Sequence, residues 1–347
     1  MSTHMYAIVK ETAGPGLTMK EVPVPETGPG QVKVQILKTA ICGTDLHICR
    51  WDAWSQRTLR PPLIIGHEFV GKIVELGAGV TGYSLGDVVS GEGHIVCSTC
   101  RNCMAGKRHL CKNTVGVGVN RDGCFAQYLV IPAMNVVKVA DGITLDIAAC
   151  FDPLGNAVHT ALKFDLTGED VLITGAGPIG VMAAAICRHC GAKKIAITDI
   201  NPYRRELSKR ITPDIFAVDP RETSLTQLMR DMRMTEGFDI GLEMSGNDAA
   251  FADMVEHMNN GGRIALLGIH SQPTLINWDK VVFGGLTING IYGREMFDTW
   301  YKMMSMLQTG LNIDKVITHR FNYRDYEAGF AVMDSGNSGK VVLDWAE

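Results

Sequence analysis

The stretch Val171-Leu-Ile-Thr-Gly-Ala-Gly-Pro-Ile-Gly180 decides the fold of this chain. Its first four residues predict a buried strand. The glycines that follow form the pattern G-x-G-x-x-G and open a helical stretch that runs to Cys190. A second predicted strand, Lys194–Thr198, ends at Asp199. A strand, a glycine turn, a helix and a second strand that ends in a carboxylate are the fingerprint of a dinucleotide-binding unit.

The glycines and the carboxylate have distinct predicted roles. Gly175 permits a tight turn, Gly177 lets the backbone approach the pyrophosphate, and Gly180 lets the helix pack closely on the strand. Asp199 is expected to bind the adenosine ribose and to repel a 2′-phosphate, which favours NAD over NADP. The nearby Arg204 and Arg205 weaken this preference, because arginines often mark NADP sites, but the carboxylate at the end of the strand is expected to prevail. Arg204 is either an adenosine contact or a solvated charge. A glycine turn without a ligand is the alternative interpretation.

The rest of the chain divides into a β-rich part and a part in which strands and helices alternate. Short apolar runs predict strands at Gln31–Leu37, Leu63–Ile65, Gly71–Leu76 and Asp87–Val89. Further strands are predicted at Phe238–Glu243, Arg263–Leu267 and Lys340–Asp344, with a helix at Thr299–Gln308. The alternation predicts an α/β fold with a doubly wound parallel sheet. The predicted layout is a β-rich catalytic domain over 1–155 and 297–347, and a nucleotide-binding domain over 156–296.

Composition restricts the class of protein further. The 347 residues are 46% apolar and 20% charged, which is typical of a globular protein of about two domains. The 33 basic and 37 acidic residues give a net charge of −4, which provides no basic surface for nucleic acid or an anionic membrane. Residues 1–10 lack the regions of a signal peptide, so the 10 cysteines favour metal ligands or free thiols over disulfides. We therefore expect a cytoplasmic protein that binds neither nucleic acid nor membrane.

Four of the cysteines lie in a short segment whose spacing predicts a metal site. They are Cys97, Cys100, Cys103 and Cys111, in the pattern C-x2-C-x2-C-x7-C. Four thiolates at such spacing suit tetrahedral zinc. An iron–sulfur cluster is the alternative, but its common run has three residues before the last cysteine and a proline after it. Because four protein ligands leave no position for a substrate, the predicted zinc is structural.

A second set of candidate ligands is dispersed along the chain. Cys42 stands in Cys-Gly-Thr-Asp, His67 and Glu68 in Gly-His-Glu, and Asp152 in Phe-Asp-Pro. Taken singly, the cysteine is equally well explained as a buried thiol, the histidine as a core residue and a carboxylate as a surface charge. The frame Gly66-His-Glu-x2-Gly71-x5-Gly77-x2-Val80, however, resembles the zinc signature of the medium-chain alcohol dehydrogenases. In that family this motif, a four-cysteine lobe and a Rossmann domain follow in the order found here, so the resemblance covers nearly the whole chain.

This resemblance implies a GroES-like fold for the β-rich domain, two Zn²⁺ ions per chain and an enzyme that transfers a hydride from a small alcohol to NAD. It implies that Cys42, His67 and Glu68 hold a catalytic zinc ion. It implies in addition that Thr44 and His47 relay a proton, and that Asp152 tunes the zinc or takes part in the relay. The cofactor contacts that it implies, beyond Gly175, Gly177, Gly180, Asp199 and Arg204, are Ile179, Leu267, Gly268, Ile269, Ile291 and Tyr292.

Several segments resemble the members of the family whose substrate is the amino acid L-threonine. These segments are Ile41–His47, Trp51–Gln56, Gly91–His94, Phe151–His159 and Gly290–Phe297. The implied reaction is oxidation of the secondary hydroxyl of L-threonine to 2-amino-3-oxobutanoate, and the implied assembly is a homotetramer. A polyol or other secondary-alcohol dehydrogenase is the alternative within the family. A non-catalytic NAD- and zinc-binding protein is the alternative outside it.

Overall fold

The computed structural model of the chain describes residues 3–346. Residues 1, 2 and 347, at the ends of the predicted catalytic domain, lie outside the described residues. The strands, in chain order, are β1 (His4–Lys10), β2 (Thr18–Pro23), β3 (Gln31–Ala40), β4 (Leu63–Ile64), β5 (Phe69–Leu76), β6 (Val88–Gly91), β7 (His94–Ile95), β8 (Val115–Gly116), β9 (Tyr128–Pro132), β10 (Val136–Lys138), β11 (Asp170–Thr174), β12 (Lys194–Thr198), β13 (Phe216–Val218), β14 (Phe238–Glu243), β15 (Met258–Leu266), β16 (Thr287–Gly290), β17 (Ile317–Asn322) and β18 (Lys340–Asp344). The α-helices are α1 (Gly43–Arg50), α2 (Ala53–Thr58), α3 (Arg101–Met104), α4 (Leu145–Ala149), α5 (Phe151–Ala161), α6 (Pro178–His189), α7 (Pro202–Ile211), α8 (Leu225–Asp231), α9 (Asp248–His257), α10 (Trp278–Phe283), α11 (Asp298–Gln308) and α12 (Tyr326–Asp334).

The chain divides into two units. The β-rich unit comprises Met1–Asp152, Glu295–Trp300 and Ile317–Glu347, and the nucleotide-binding unit comprises Pro153–Arg294 and Tyr301–Val316. The divisions therefore fall within α5, just before α11, within α11 and before β17. The domain boundaries given above, 1–155 with 297–347 and 156–296, remain a prediction.

The nucleotide-binding unit is built on a six-stranded parallel sheet. Its strand order is β13-β12-β11-β14-β15-β16, and every neighbouring pair is parallel. The strands are apolar because helices cover the sheet, and Leu172, Phe238 and Ile264 are fully buried in its core. The strand order reverses between β11 and β14, which places a ligand crevice at the carboxyl ends of these two strands. The predicted doubly wound parallel sheet is thus confirmed.

The β-rich unit contains a seven-stranded sheet in the order β10-β6-β5-β3-β18-β17, with β9 also paired to β3. Ile36, Phe69 and Val341 come from three different strands of this sheet and share one buried core. Each fully buried side chain of this size contributes about 1.5–3 kcal/mol relative to an exposed one. Smaller ladders join β1 with β2 and β4, and β7 with β8. The sheet matters for function because β3, β5 and β18 are neighbours.

Most predicted strands agree with the structure within two residues of each end, and β12, β14 and β18 have the predicted bounds. Arg263–Leu267 is an exception, since β15 begins at Met258. No sequence pattern noted above predicted α1, α2 or α5 in the first half of the chain. The side chain of Asp52 caps α2 by accepting a hydrogen bond from the Ser55 N–H at 3.0 Å. Within residues 3–346, no helix combines the length and the apolar character needed to cross a membrane.

Candidate active site

The pairing of β3 with β5 brings the dispersed ligand candidates together. The two strands are antiparallel, with Thr39 opposite Phe69, so the end of β3 lies beside the start of β5. Cys42 follows β3, and His67 and Glu68 immediately precede β5. The Ala40 N–H donates to the Glu68 carbonyl oxygen at 3.1 Å, and this hydrogen bond joins the end of β3 to the segment before β5. Residues 25 positions apart in sequence therefore meet at one edge of the sheet.

Cys42, His67 and Glu68 form a compact set of metal-ligating groups. One ligand atom from each lies within 4.8 Å of the others. Glu68 is 1% exposed, and its Oε1 atom is buried without a hydrogen-bond partner in the described part of the chain. His67 Nδ1 is likewise buried and unpartnered among residues 3–346. Buried polar atoms without partners are costly, so this arrangement suits a bound cation.

Carboxylates surround the set. Asp45, fully buried on the first turn of α1, accepts a hydrogen bond from the Cys42 N–H at 2.9 Å, and its Oδ1 lies 3.9 Å from His67 Nδ1. Burial disfavours a charged imidazole, but Cys42, Asp45 and Asp152 raise the pKa of His67 well above its ordinary value. Burial also raises the pKa of Glu68. The site therefore carries an excess of groups that a cation would neutralise.

One cation of the chain reaches this site from the C-terminal strand. Lys340 opens β18, which pairs with β3, and its Nζ lies 2.6 Å from Glu68 Oε2 and 2.7 Å from the Ile41 carbonyl oxygen. Lys340 is 2% exposed. Burial lowers the pKa of this lysine, but Glu68, Cys150 and Cys42 together outweigh burial, and the pKa ends above its usual value. Lys340 and Glu68 thus form a buried ion pair beside the metal-ligating set.

The other predicted catalytic residues lie around Cys42 and His67. Thr44, in the first turn of α1, has its Oγ1 3.7 Å from Cys42 Sγ. His47 lies three residues further on the same helix and is exposed, with its Nδ1 2.6 Å from Asp52 Oδ2. Asp152 is buried, and a Cβ placed on Gly93 would lie 3.8 Å from its Oδ1 and 3.6 Å from the His67 Cβ. Asp152 does not belong to the set that shares the 4.8 Å limit.

The four-cysteine segment has the geometry of a tetrahedral metal site. Its sulfur–sulfur distances include 3.5 Å for Cys100–Cys103, 3.5 Å for Cys97–Cys111 and 4.0 Å for Cys100–Cys111. A tetrahedron with zinc–sulfur bonds of about 2.3 Å has edges of about 3.8 Å. Hydrogen bonds, chiefly from the Thr99 backbone N–H and side chain, lower the pKa of Cys97 to about 5, whereas burial is the main cause that raises the pKa of Cys103 to about 12. The sulfur positions therefore fit the predicted structural zinc.

The glycine motif forms one wall of a pocket in the nucleotide-binding unit. Gly175 has φ +88°, a conformation that favours glycine, and a Cβ on Gly180 would lie 2.0 Å from the Gly175 carbonyl oxygen. Asp199 Oδ2 accepts the Ala176 N–H and its Oδ1 accepts the Asn201 N–H, both at 2.8 Å. The pocket has a volume of about 620 Å³. The Asp199 side chain is thus fixed against the glycine turn. The N-terminus of α6, which follows this turn, is where a pyrophosphate binds in such units.

Four of the predicted cofactor residues line this pocket: Gly175, Gly177, Asp199 and Arg204. Ile179 and Gly180 lie in the first turn of α6. Leu267, Gly268 and Ile269 follow β15, and Ile291 and Tyr292 follow β16. Because the sheet is parallel, all of these positions are at its carboxyl edge. Their roles toward a cofactor remain predictions.

Sequence reasoning missed two groups of this site. Lys340 was treated only as the start of a closing strand, and Asp45 only as a letter of the Cys-Gly-Thr-Asp motif. Asp45 could have been found, because an acidic residue three positions after an N-cap is a capping signal. Nothing in the sequence indicates the pairing of Lys340 with Glu68, since it depends on the contact between β18 and β3.

Two family models match the chain. The alcohol dehydrogenase GroES-like domain matches residues 28–141, and the zinc-binding dehydrogenase domain matches residues 178–309. Together with the parallel sheet, the metal-ligating set and the four-cysteine segment, these matches define the class. The chain belongs to the zinc-containing medium-chain dehydrogenases and is an oxidoreductase. The predicted family and the GroES-like fold of the β-rich part are confirmed.

One curated relative and two solved structures show which proteins of this family the chain is similar to. The chain is 60% identical over 343 residues to L-threonine 3-dehydrogenase of Burkholderia mallei strain SAVP1, covering 99% of this chain and 100% of the relative. Its structure is similar to that of a short chain alcohol dehydrogenase from E. coli CFT073 complexed with NADH, at 25% identity and a TM-score of 0.90, covering 99% and 100% of the two chains. It is also similar to an alcohol dehydrogenase from Thermotoga maritima, at 26% identity and a TM-score of 0.88, again covering 99% and 100%.

Proposed function

We propose that this chain oxidises L-threonine at its secondary hydroxyl to 2-amino-3-oxobutanoate, with NAD as the hydride acceptor. The observation that supports this proposal most directly is the set Cys42, His67 and Glu68, whose ligand atoms lie within 4.8 Å of one another. It stands in a chain that is 60% identical, over its full length, to a protein named for this reaction. The C–H hydride passes to the nicotinamide ring and the hydroxyl proton to solvent, so that one NADH and one proton form per threonine.

The donor set supports catalytic zinc. A thiolate, an imidazole and a carboxylate are ligand types of catalytic zinc, where three protein ligands leave one coordination position open. Cys42 and His67 would hold the ion, with Glu68 as the third donor. A zinc ion bound there would supply a Lewis acid that brings the pKa of a hydroxyl toward about 7. The four-cysteine segment would hold the second zinc ion of the chain.

We propose that the proton of the substrate hydroxyl leaves along α1. Thr44 lies beside Cys42, and residues three apart share one face of a helix, so His47 continues the same face outward. Asp52 holds His47 Nδ1 at 2.6 Å, which leaves Nε2 as the nitrogen that exchanges protons with water. We assign the first transfer to Thr44 and the release to His47. Asp152, buried near His67, completes the electrostatic surroundings.

The pocket at the glycine motif supports NAD as the cofactor. Two backbone N–H groups fix the side chain of Asp199 where the adenosine ribose would lie. A fixed carboxylate accepts hydrogen bonds from ribose hydroxyls and repels a 2′-phosphate. The other predicted contacts at the carboxyl edge of the sheet would bind the nicotinamide half.

A panel of alcohols tests the proposal. NADH formation is measured with L-threonine, sorbitol and a simple secondary alcohol, with and without added zinc. We expect the highest kcat/KM with L-threonine and its loss in Cys42→Ser. The matched control is Cys49→Ser, which changes a half-buried cysteine of α1 outside the ligand set. Preference for sorbitol would indicate a polyol dehydrogenase, and NADH binding without turnover of any alcohol would indicate a non-catalytic protein.

We further propose a homotetramer in the cytoplasm. All 10 cysteines lie in the described part of the chain and are free, which suits a reducing compartment. Oligomerisation is supported by five strongly exposed apolar side chains close together in sequence: Ile269, Leu275, Trp278, Val282 and Phe283. Light scattering of the purified protein measures the assembly, and a monomer would contradict it. Cell fractionation tests the compartment.

A further inference from the structure

Three arginines stand at the end of the pocket where the adenosine ribose would lie. Arg204 and Arg221 line the pocket together with Asp199, and Arg205 follows Arg204 on α7 and donates to the Asp199 carbonyl oxygen. Arginines at this place commonly accept the 2′-phosphate of NADP, because a guanidinium matches phosphate in charge and geometry. Their presence conflicts with a site selective for NAD. The contacts of a second carboxylate, Asp219, resolve this conflict.

Asp219 directly follows β13 and is 4% exposed. It binds Arg221 in a bidentate manner, with Nε 3.0 Å from Oδ1 and a terminal nitrogen 2.7 Å from Oδ2. Its Oδ2 also accepts a hydrogen bond from Arg205 at 3.0 Å. Carbonyl oxygens complete the arrangement, that of Asp199 for Arg205 at 2.7 Å and that of Ile200 for Arg221 at 3.1 Å.

Arg204 is held differently. Its nearest carboxylate oxygen, Asp199 Oδ2, is 3.9 Å away. Asp219 thus compensates two of the three guanidinium groups, and the three arginines with the two carboxylates carry a net charge of +1. Without Asp219 the same cluster would carry +2, and two guanidinium groups would lose the partner that fixes them.

We propose that Asp219 is a positioning residue that makes the adenosine site select NAD over NADP, by holding Arg205 and Arg221 away from a 2′-phosphate. This inference rests on the proposed dinucleotide site and deepens it. Asp199 repels the phosphate directly, whereas Asp219 acts through the arginines. Both carboxylates are therefore required for selectivity, and the loss of Asp219 alone is enough to admit the phosphate.

The test uses 5′-AMP and adenosine 2′,5′-bisphosphate, which differ only by the 2′-phosphate. Calorimetric titration of the full-length protein yields the ratio of their dissociation constants without requiring catalysis. We expect Asp219→Asn to shift this ratio about tenfold in favour of the bisphosphate, the effect of about one charge at about 10 Å near a protein surface. Asp219→Glu should retain the wild-type ratio, because its carboxylate still compensates the arginines.

The matched control is Asp214→Asn. Asp214 pairs with Arg188 at 2.9 Å in the same unit and does not line the pocket, so its removal changes the charge equally and leaves the ratio unchanged. A folded Asp219→Asn protein with the wild-type ratio would overturn the inference, and so would a shift of equal size in Asp219→Glu. Wild-type protein that binds neither nucleotide would overturn the dinucleotide site itself, and the inference with it.

A second pair of variants serves if Asp219→Asn does not fold. Arg204 and Arg221 are both partly exposed, so Arg204→Gln and Arg221→Gln should fold. Because Asp219 compensates Arg221 and not Arg204, we expect Arg204→Gln to weaken binding of the bisphosphate more than Arg221→Gln does. The opposite order would mean that Arg221 binds the phosphate despite Asp219, and would overturn the inference.

Discussion

Replacing Lys340 by methionine isolates the energetics of the buried ion pair. Methionine keeps most of the length and of the apolar part of lysine but removes the charge. Glu68 then loses the group 2.6 Å from its Oε2, and the Ile41 carbonyl oxygen loses its donor at 2.7 Å. Both partners are at most 2% exposed, so water cannot easily replace the lysine.

The expected cost follows from this burial. Removing one member of a buried ion pair typically lowers the free energy of unfolding by about 3–5 kcal/mol, because the remaining charge is buried without compensation. We expect a value in this range for Lys340→Met in protein freed of zinc by a chelator, where no metal ion compensates Glu68. Adding Glu68→Gln should recover most of the loss, since removing both charges leaves no buried ion.

Urea unfolding is followed by tryptophan fluorescence and circular dichroism. The change in the free energy of unfolding is the shift of the midpoint urea concentration multiplied by the slope m, which is taken as equal for the variant and the wild type. The matched control is Lys38→Met in β3 of the same sheet, where the lysine lies 2.7 Å from Asp344 and 3.2 Å from Asp146 but is more exposed. We expect at most about 1 kcal/mol there. A loss below about 1 kcal/mol in Lys340→Met, or a double variant no more stable than Lys340→Met, would refute this account of the pair.

Three shorter predictions concern other parts of the chain. Gly180→Ala should weaken NADH binding in a fluorescence titration, because its Cβ would lie 2.0 Å from the Gly175 carbonyl oxygen; Gly14→Ala, which has open space, should not. Asp253 raises the pKa of His257 through a hydrogen bond, so the stability that this pair contributes is complete below about pH 6.5 and is lost as pH rises through the raised pKa. Urea unfolding measures the free energy of unfolding at one pH below about 6.5 and at one pH above the raised pKa of His257. We expect the difference between the two values to be smaller in His257→Gln than in the wild type. A wild-type protein that is equally stable at both pH values would contradict the prediction. Cys103→Ser should reduce the zinc measured by elemental analysis from two ions to one per chain, whereas Cys187→Ser, a buried thiol outside both predicted sites, should leave two.

The sequence predicted what depends on local pattern. Buried parallel strands such as β12 and β14 are dense in apolar residues and end at a carboxylate or turn, so their bounds could be predicted. The helix α1 has only eight residues and a weak apolar face, and α5 contains Pro153 and Gly155, so neither has a clear helical pattern. The start of β15 at Met258 was missed because its first residues, Asn259 to Gly262, are polar or glycine.

The candidate ligands could be predicted because the family motif places them at recognisable positions. The residues that fix their charge could not be predicted in the same way. Lys340 meets Glu68, and Asp219 meets Arg205, through strand neighbours and loop geometry that have no counterpart in sequence spacing. A lone lysine or aspartate in a sequence is more often a solvated surface charge.

The place of β18 in the sheet has a consequence for biosynthesis. This strand lies between β3 and β17 and carries the lysine that faces Glu68, yet the ribosome makes it after the entire nucleotide-binding unit. Domains generally fold as units while the chain emerges. The parallel sheet can therefore form early, whereas the β3 edge stays open and Glu68 stays uncompensated until residues 340–344 leave the exit tunnel. Nascent chains stalled before this point should bind nucleotide but expose an unpaired strand edge, which makes them clients for chaperones.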